Sequence, residues 1–116
     1  MKVAILGASP KPDRYSNKAQ KMLMDHGHEV IPVSPGGGEV LGVEGLAHVP
    51  SGMDTVTLYV SPKHLLPMLE ELVEAAPRRV IFNPGTESDE AMDRLKTAGI
   101  VVEEACTLVL LSVGEF

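Results

Sequence analysis

The chain has 116 residues, of which 44% are hydrophobic, 22% are charged and 3% are aromatic, and its formal net charge at pH 7 is −6. This composition predicts one globular domain spanning residues 1–116, and the acidic charge with so few aromatic rings argues against a nucleic-acid binder. The sequence has no apolar run long enough to cross a bilayer, one cysteine and no signal-like start, which together predict a cytoplasmic protein without a membrane partner.

The first predicted strand, Lys2–Leu6, runs into the small-residue turn Gly7-Ala8-Ser9 and then into a helix predicted for Ser16–His26. Ser16 is the expected N-cap of this helix, and Gly27 is expected to end it. A strand, a glycine turn and a helix start in this order are how many α/β proteins present backbone N–H groups to a phosphate. The beginning of the chain therefore predicts a site for an anionic ligand.

The distribution of charge agrees with that prediction. Residues 1–21 carry a net charge of +4, whereas residues 22–116 carry −10. Half of the positive charge therefore lies close to one glycine turn of an otherwise acidic protein. Among these cations Arg14 is the one we expect to contact a phosphate, because its guanidinium can bind two oxygens at once. Lys18 and Lys21 are expected to face solvent.

Further elements alternate along the chain. The predicted strands are Glu29–Val33, Thr55–Val60, Arg79–Phe82 and Ile100–Glu103, and the predicted helices run from Pro62 to about Ala76 and over Ser88–Ala98. Residues 39–53 are expected to be irregular. Apolar strands separated by helices predict an α/β, Rossmann-like, doubly wound domain with a mainly parallel sheet of about five strands. The apolar run Thr107–Leu111 is expected to pack on the sheet edge or in a homodimer.

Ligands of an open parallel sheet bind outside the carboxyl ends of its strands. Small polar turns follow the first four predicted strands: Gly7-Ala8-Ser9, Ser34-Pro35-Gly36, Ser61-Pro62-Lys63 and Asn83-Pro84-Gly85-Thr86. These turns suit backbone contact with a ligand, although the same residues also make ordinary tight turns. No nucleophile stands beside a base, and the histidines form no metal-ligand pattern, so we expect neither a catalytic residue nor a metal site.

A dinucleotide fingerprint is incomplete in this chain. The pattern G-x-G-x-x-G would require glycine where Ser9 and Pro12 stand, and no carboxylate ends the second strand.

Cys106 follows the fifth strand on the same rim as the turns. A mixed disulfide with a ligand thiol is one hypothesis for this residue, and a buried, inert cysteine is the alternative.

The ordered set of short motifs resembles the small stand-alone CoA-binding proteins, whose domain is similar to the N-terminal domain of the succinyl-CoA synthetase alpha subunit. The matching segments are residues 3–9, 11–14, 26–35, 54–56, 90–91 and 98–102, followed by Cys106. The resemblance implies a Rossmann-like fold that binds CoA or acyl-CoA. It places the phosphates at Gly7-Ala8-Ser9 and the start of the next helix, with Arg14 and Ser16, and the adenosine end near Ser34-Pro35 and Val60-Ser61-Pro62.

These observations together predict a CoA-binding or acyl-CoA-binding domain without catalysis of its own, in which the turn Asn83-Pro84-Gly85 also contacts the ligand. Two alternatives stay open at this point. One is a nucleotide-dependent oxidoreductase or a ligase-associated subunit that uses the same site. The other is an interaction module whose phosphate site is vestigial.

Overall fold

A computed structural model describes residues 1–116 and contains one sheet of five parallel strands in the order β2-β1-β3-β4-β5. The strands are β1 (Lys2–Leu6), β2 (Glu29–Val33), β3 (Thr55–Leu58), β4 (Arg79–Phe82) and β5 (Val101–Glu104). The helices are α1 (Tyr15–Asp25), α2 (Pro62–Leu65), α3 (Leu69–Ala75), α4 (Asp89–Thr97) and α5 (Thr107–Ser112), with a 3-10 turn at Leu66–Met68. The predicted α/β, Rossmann-like fold with a parallel sheet is confirmed.

Helices cover both faces of the sheet, because successive side chains of a strand point to opposite faces. Ala4 and Leu6 of β1 belong to a cluster of 17 buried residues that also includes α2, α3 and α4. Val3 and Ile5 point the other way, into a cluster of five buried residues that includes one leucine of α1 and one of α5. Both faces of the central strands are therefore buried, and β1 appears in the sequence as a continuous apolar run. Strand β3 differs, because Thr55 and Thr57 occupy one of its two buried faces.

The predicted helix from Pro62 to about Ala76 is not continuous. It is divided into α2, the 3-10 turn and α3, and Pro67 lies in the middle of the turn. Proline has no N–H to donate and its ring clashes with the carbonyl four residues earlier, so an α-helix cannot pass through it unbroken. Ala76 ends α3 with a φ of +51°.

The start of α1 also differs from the prediction. Arg14 is the N-cap, with extended backbone and no side-chain cap, and Ser16 lies inside the first turn with 4% of its surface exposed. Gly27 follows the helix with a φ of +84°, as predicted. Ser88 caps α4 by accepting a hydrogen bond from the N–H of Ala91 at 3.2 Å.

The C-terminal segment packs on a face of the sheet instead of its edge. It forms helix α5, and Leu111 contacts the apolar cluster made by β1, β2 and α1. Val109 and Val113 on the same helix are 56% and 62% exposed. The homodimer stays a prediction.

The irregular segment predicted at residues 39–53 contains only isolated bridges, Val33 with Leu46 and Val40 with Val43. No helix in the molecule has the length and hydropathy to span a bilayer.

An ion pair at the amino-terminal ends of the strands gives a pH-dependent contribution to stability. Arg78 donates to both carboxylate oxygens of Asp54, at 2.8 and 3.2 Å. Those hydrogen bonds lower the pKa of Asp54 from 3.8 to about 2. A carboxyl whose pKa is depressed on folding stabilises the protein above its unfolded pKa, and the contribution is lost as the pH falls through the folded value.

We therefore expect Asp54→Asn to lower the free energy of unfolding at pH 7 by about 1 kcal/mol, a figure reduced for the solvent exposure of the pair. Roughly half of that difference should be lost at pH 3. Urea denaturation at the two pH values measures both quantities. Asp25→Asn is the control, since Asp25 forms only an exposed pair with Lys21 and should change little. A difference independent of pH would contradict the assignment.

Candidate functional site

A polar groove lies at the carboxyl ends of β1 and β3. The chain passes from β1 to β2 on one side of β1 and then returns to β3 on the other side of β1. The groove has a volume of about 220 Å³ and is lined by Gly7, Ser9, Arg14, Tyr15, Ser16 and Tyr59. Such a reversal of strand order is the usual place for a ligand in an open α/β sheet. We refer to these six residues as the polar groove.

Gly7 forms the floor of the polar groove. Its φ is +97°, and a Cβ atom there would lie 2.6 Å from the backbone oxygen of Tyr59. The N–H groups of Gly7 and Ala8 both donate to the carbonyl of Val33, at 2.9 and 3.1 Å. They hold the turn against β2 and are not free to contact a ligand.

Other donors in the polar groove have no acceptor within the chain. The N–H groups of Ser9, Tyr15 and Ser16 make no hydrogen bond, because Ser9 lies in a loop and the other two lie in the first turn of α1. Asn17 donates to the carbonyl of Ser9 at 2.9 Å and fixes this loop on the helix. The free N–H groups and the positive end of an 11-residue helix together favour an anion.

The cations of residues 1–21 divide into paired and unpaired ones. Lys2 and Lys21 lie within 4 Å of a carboxylate, that of Glu29 and that of Asp25 respectively. Lys11, Arg14 and Lys18 form no salt bridge, and the ammonium of Lys18 lies 5.4 Å from the centre of the Tyr15 ring. Three of the five cations in residues 1–21 are therefore unpaired, and one of them, Arg14, lines the groove.

A second cavity adjoins the polar groove. It has a volume of about 310 Å³ and is lined by Tyr15, Tyr59, Asn83, Pro84, Cys106 and Leu108. We refer to it as the apolar cavity. Tyr15 and Tyr59 line both spaces, so the two adjoin each other at the carboxyl ends of the strands.

Asn83 is the structural link beneath the apolar cavity and is 2% exposed. Its Nδ2 donates to Thr57 Oγ1 at 2.6 Å and to the Leu58 carbonyl at 2.8 Å, and its Oδ1 accepts from the N–H of Thr107 at 2.8 Å. The side chain thus joins β3, β4 and α5. Both of its N–H donors are used, so it has none to offer a ligand.

Tyr59 has a hydroxyl that solvent does not reach. Its Oη lies near the hydroxyls of Thr57 and Thr107, which hydrogen-bond to each other at 2.8 Å, but makes no hydrogen bond of normal geometry itself. Burial raises the pKa of Tyr59 to about 12. The phenol is therefore neutral at physiological pH and contributes its ring to both the groove and the cavity.

Comparison with known proteins decides the family. A family model described as "CoA binding domain" matches residues 1–112. The chain belongs to the CoA-binding domain family. The Bacillus subtilis protein YneT is 31% identical over 112 residues, which are 93% of this chain and 83% of YneT.

Solved structures share the fold of this CoA-binding domain. A crystal structure of an uncharacterized protein is 46% identical, with a TM-score of 0.94 over 99% of this chain and 97% of that one. A dinucleotide-forming acetyl-coenzyme A synthetase of Ca. Korarchaeum cryptofilum is 20% identical, with a TM-score of 0.74 over 87% of this chain and 25% of the synthetase. At that identity the synthetase shows the fold alone.

The CoA-binding domain brings together some of the residues predicted from the sequence. Gly7, Ser9, Arg14 and Ser16 line the polar groove, and Asn83 and Pro84 line the apolar cavity. The other seven predicted residues line neither space: Ala8, Ser34, Pro35, Val60, Ser61, Pro62 and Gly85.

Hydrogen bonds within the turns explain why several of these seven residues do not line either space. Ser34 Oγ donates to the carbonyl of Gly37 at 3.0 Å, which closes the turn after β2. Ser61 Oγ lies 2.8 Å from His64 Nδ1 at the start of α2, where Pro62 is the first residue. The N–H of exposed Gly85 donates to Glu87 Oε1 at 2.7 Å. These polar groups serve the turns themselves.

Sequence reasoning on this CoA-binding domain missed Tyr15, Tyr59 and Leu108 as lining residues. One signal was present, because the chain has only two tyrosines and both line the two adjoining spaces.

Cys106 is half-buried and lines the apolar cavity, so it is not the fully buried cysteine of the alternative prediction. No three His, Cys, Asp or Glu side chains are close enough together to hold a metal ion.

Proposed function

We propose that the protein binds CoA without covalent attachment and without catalysis of its own, with the pyrophosphate in the polar groove. The unpaired cations beside free N–H groups carry this proposal. CoA has about four negative charges on its phosphates, and charge-assisted hydrogen bonds to them are the strong ones. Arg14 and the N–H groups of Ser9, Tyr15 and Ser16 are the donors we assign to those phosphates. The matched family and the position of the groove in the fold support the same ligand.

The absence of catalysis is proposed from the chemistry of the lining residues. Neither the polar groove nor the apolar cavity contains a histidine, a lysine or a carboxylate. The lining residues that could act as a general acid or base are Tyr15, Tyr59 and Cys106, and none of the three hydrogen-bonds to a second acid or base. Ser61 and His64 are in contact but line neither one. The residues around the groove are suited to holding a ligand.

Isothermal titration with CoA tests the proposal, and Arg14→Ala is the informative variant. We expect Arg14→Ala to weaken CoA binding about tenfold or more, because it removes charged hydrogen bonds to phosphate. Lys21→Ala is the matched control, since it removes the same charge from the same helix but from a residue already paired with Asp25. Its affinity should stay within about twofold of the parent protein.

Three results would contradict the proposal. The first is no binding of CoA at all. The second is an equal loss of affinity in the two variants, which would show that only the overall charge matters. Tighter binding of NAD, NADP or ATP than of CoA in parallel titrations would favour the nucleotide-dependent enzyme instead.

A further inference from the structure

Tyr15 is the one phenylalanine or tyrosine side chain of the protein that is mostly exposed. The chain has two residues of each type. Phe82 is 1% exposed, and Phe116 and Tyr59 are half-buried. Tyr15 is 68% exposed. A large aromatic ring in solvent is not unusual by itself, so its position has to show whether it has a use.

Tyr15 stands at the junction of the polar groove and the apolar cavity. Tyr15 and Tyr59 are the only residues that line both spaces. They come from different elements, since Tyr15 is the first residue of α1 and Tyr59 follows β3. The hydroxyl of Tyr59 is buried near those of Thr57 and Thr107, which limits the movement of its ring. A ligand that extends from one space into the other therefore passes these two rings.

The covalent structure of CoA has an apolar group at the corresponding point. Its pyrophosphate is joined through a methylene group to a quaternary carbon that carries two methyl groups, and the rest of the pantetheine arm follows. With the pyrophosphate on the N–H groups of Ser9, Tyr15 and Ser16, this branched carbon reaches the two tyrosine rings. The remainder of the arm then enters the apolar cavity, which no charged residue lines. At the same point ADP ends in a phosphate, ATP has a further phosphate and NAD has a second ribose.

We propose that Tyr15 is a specificity-determining residue for CoA, whose ring packs against the branched carbon of the pantetheine arm and so distinguishes CoA from other ligands that contain adenosine and a pyrophosphate. The inference rests on the proposed function, because it assumes that the pyrophosphate occupies the polar groove. Its effect is separable from phosphate binding, since the backbone N–H of Tyr15 contacts phosphate and the side chain contacts the arm. No covalent step is involved.

The Tyr15 ring can pack against the arm without losing a strong contact of its own. The ammonium of Lys18 lies 5.4 Å from the ring centre, and such a cation–π contact is weak at an exposed site. Packing on the branched carbon removes part of the exposed ring surface from water and leaves Lys18 beside the phosphates. Apolar surface is buried on both partners, which for one ring contact corresponds to about tenfold in affinity.

Paired titrations with dephospho-CoA and ADP test this inference, because the two ligands share adenosine and the pyrophosphate and differ by the pantetheine arm. We expect the parent protein to bind dephospho-CoA at least about tenfold tighter than ADP. Tyr15→Ala should weaken dephospho-CoA binding about tenfold and change ADP binding by less than about twofold, since the backbone N–H is retained. Tyr15→Phe, which keeps the ring, should restore the ratio of the two affinities.

Two further variants separate the ring from other effects. Arg14→Ala should weaken both ligands by a similar factor, because it removes contacts to phosphates that they share. Met24→Ala is the matched control, since Met24 is a 37% exposed residue of the same helix and lines neither space. It should change neither affinity by more than about twofold. A ratio that survives in Tyr15→Ala would overturn the assignment, and so would an equal loss for both ligands, which would place the defect at the phosphates.

Tyrosine fluorescence gives a second readout. In Tyr59→Phe, which removes only a buried hydroxyl without a hydrogen bond, Tyr15 is the single tyrosine of a chain that has no tryptophan. Saturating dephospho-CoA should protect its emission from quenching by acrylamide more strongly than saturating ADP does. Equal quenching with the two ligands would contradict contact between the ring and the arm.

The two proposals fail in different ways. If CoA and dephospho-CoA bind but Tyr15→Ala keeps the ratio of the parent protein, the inference fails while the proposed function stands. If neither CoA nor dephospho-CoA binds, the proposed function fails, and the inference fails with it.

Discussion

Gly7→Ala is expected to lower the free energy of unfolding by on the order of 3 kcal/mol and to weaken CoA binding by more than about tenfold. Two costs combine at this position. A non-glycine residue at a φ of +97° is strained, and the added Cβ would lie 2.6 Å from the Tyr59 carbonyl oxygen and 2.9 Å from a Val60 side-chain carbon. Because one of these contacts is to backbone, the strain can be relieved only by separating the end of β1 from the end of β3.

That separation would also disturb the ligand site, since the loop carrying Ser9 and Arg14 begins at Gly7. Urea denaturation and CoA titration measure the two effects. Gly27→Ala is the matched control, because Gly27 has a φ of +84° but nothing within 4 Å of the added Cβ. It should lose about 1 kcal/mol, from backbone strain alone. Equal losses in the two variants would show that the contact with Tyr59 is unimportant.

Asn83→Ala is expected to lower the free energy of unfolding by about 3 kcal/mol, although the residue has no charge and lies at the end of a strand. The substitution removes three hydrogen bonds and leaves the Leu58 carbonyl and the Thr107 N–H without partners in a buried site. It also opens a void beneath the apolar cavity. Helix α5 should then loosen, because its first residue, Thr107, loses one of its two hydrogen bonds to the strand ends and keeps only the one to Thr57.

Thermal or urea denaturation checks this expectation, and Asn17→Ala is the matched control. Asn17 is also a buried asparagine, 5% exposed, but its side chain makes one hydrogen bond, to the carbonyl of Ser9. Its loss should cost about 1 kcal/mol. A change of that size in Asn83→Ala would contradict the structural role assigned to Asn83.

The sequence was sufficient for the parts of the fold that depend on local pattern. Apolar runs separated by glycine and proline turns predicted the parallel sheet, and Gly27 correctly predicted the end of α1. The leucine spacing after Pro62 predicted one unbroken helix, but Pro67 divides it, because proline cannot continue an α-helix. The packing of Leu111 on the face of β1 depends on a contact between the two ends of the chain, and no local pattern encodes it.

The residues of the site also divide into those that local sequence pattern predicts and those that only the fold brings together. Gly7, Ser9, Arg14 and Ser16 were predicted because they follow one another within ten residues of a single strand, turn and helix. Asn83 was predicted as a ligand contact, but its hydrogen-bond partners lie 24 to 26 positions away in the chain. Only the folded structure shows that these partners use the side chain. The two tyrosines meet the groove from different elements, so neither could be placed by its neighbours in sequence.

Helix α5 has a consequence for how ligand preference could change among related chains. The helix supplies Leu108 and its N-cap supplies Cys106 to the wall of the apolar cavity, yet neither residue lines the polar groove. Five of the six residues that line the polar groove belong to the first sixteen of the chain, and none belongs to this C-terminal segment. Exchanging residues 105–113 between relatives would therefore alter selectivity for the tail while leaving recognition of the head intact, which makes this short segment a natural target for redesign.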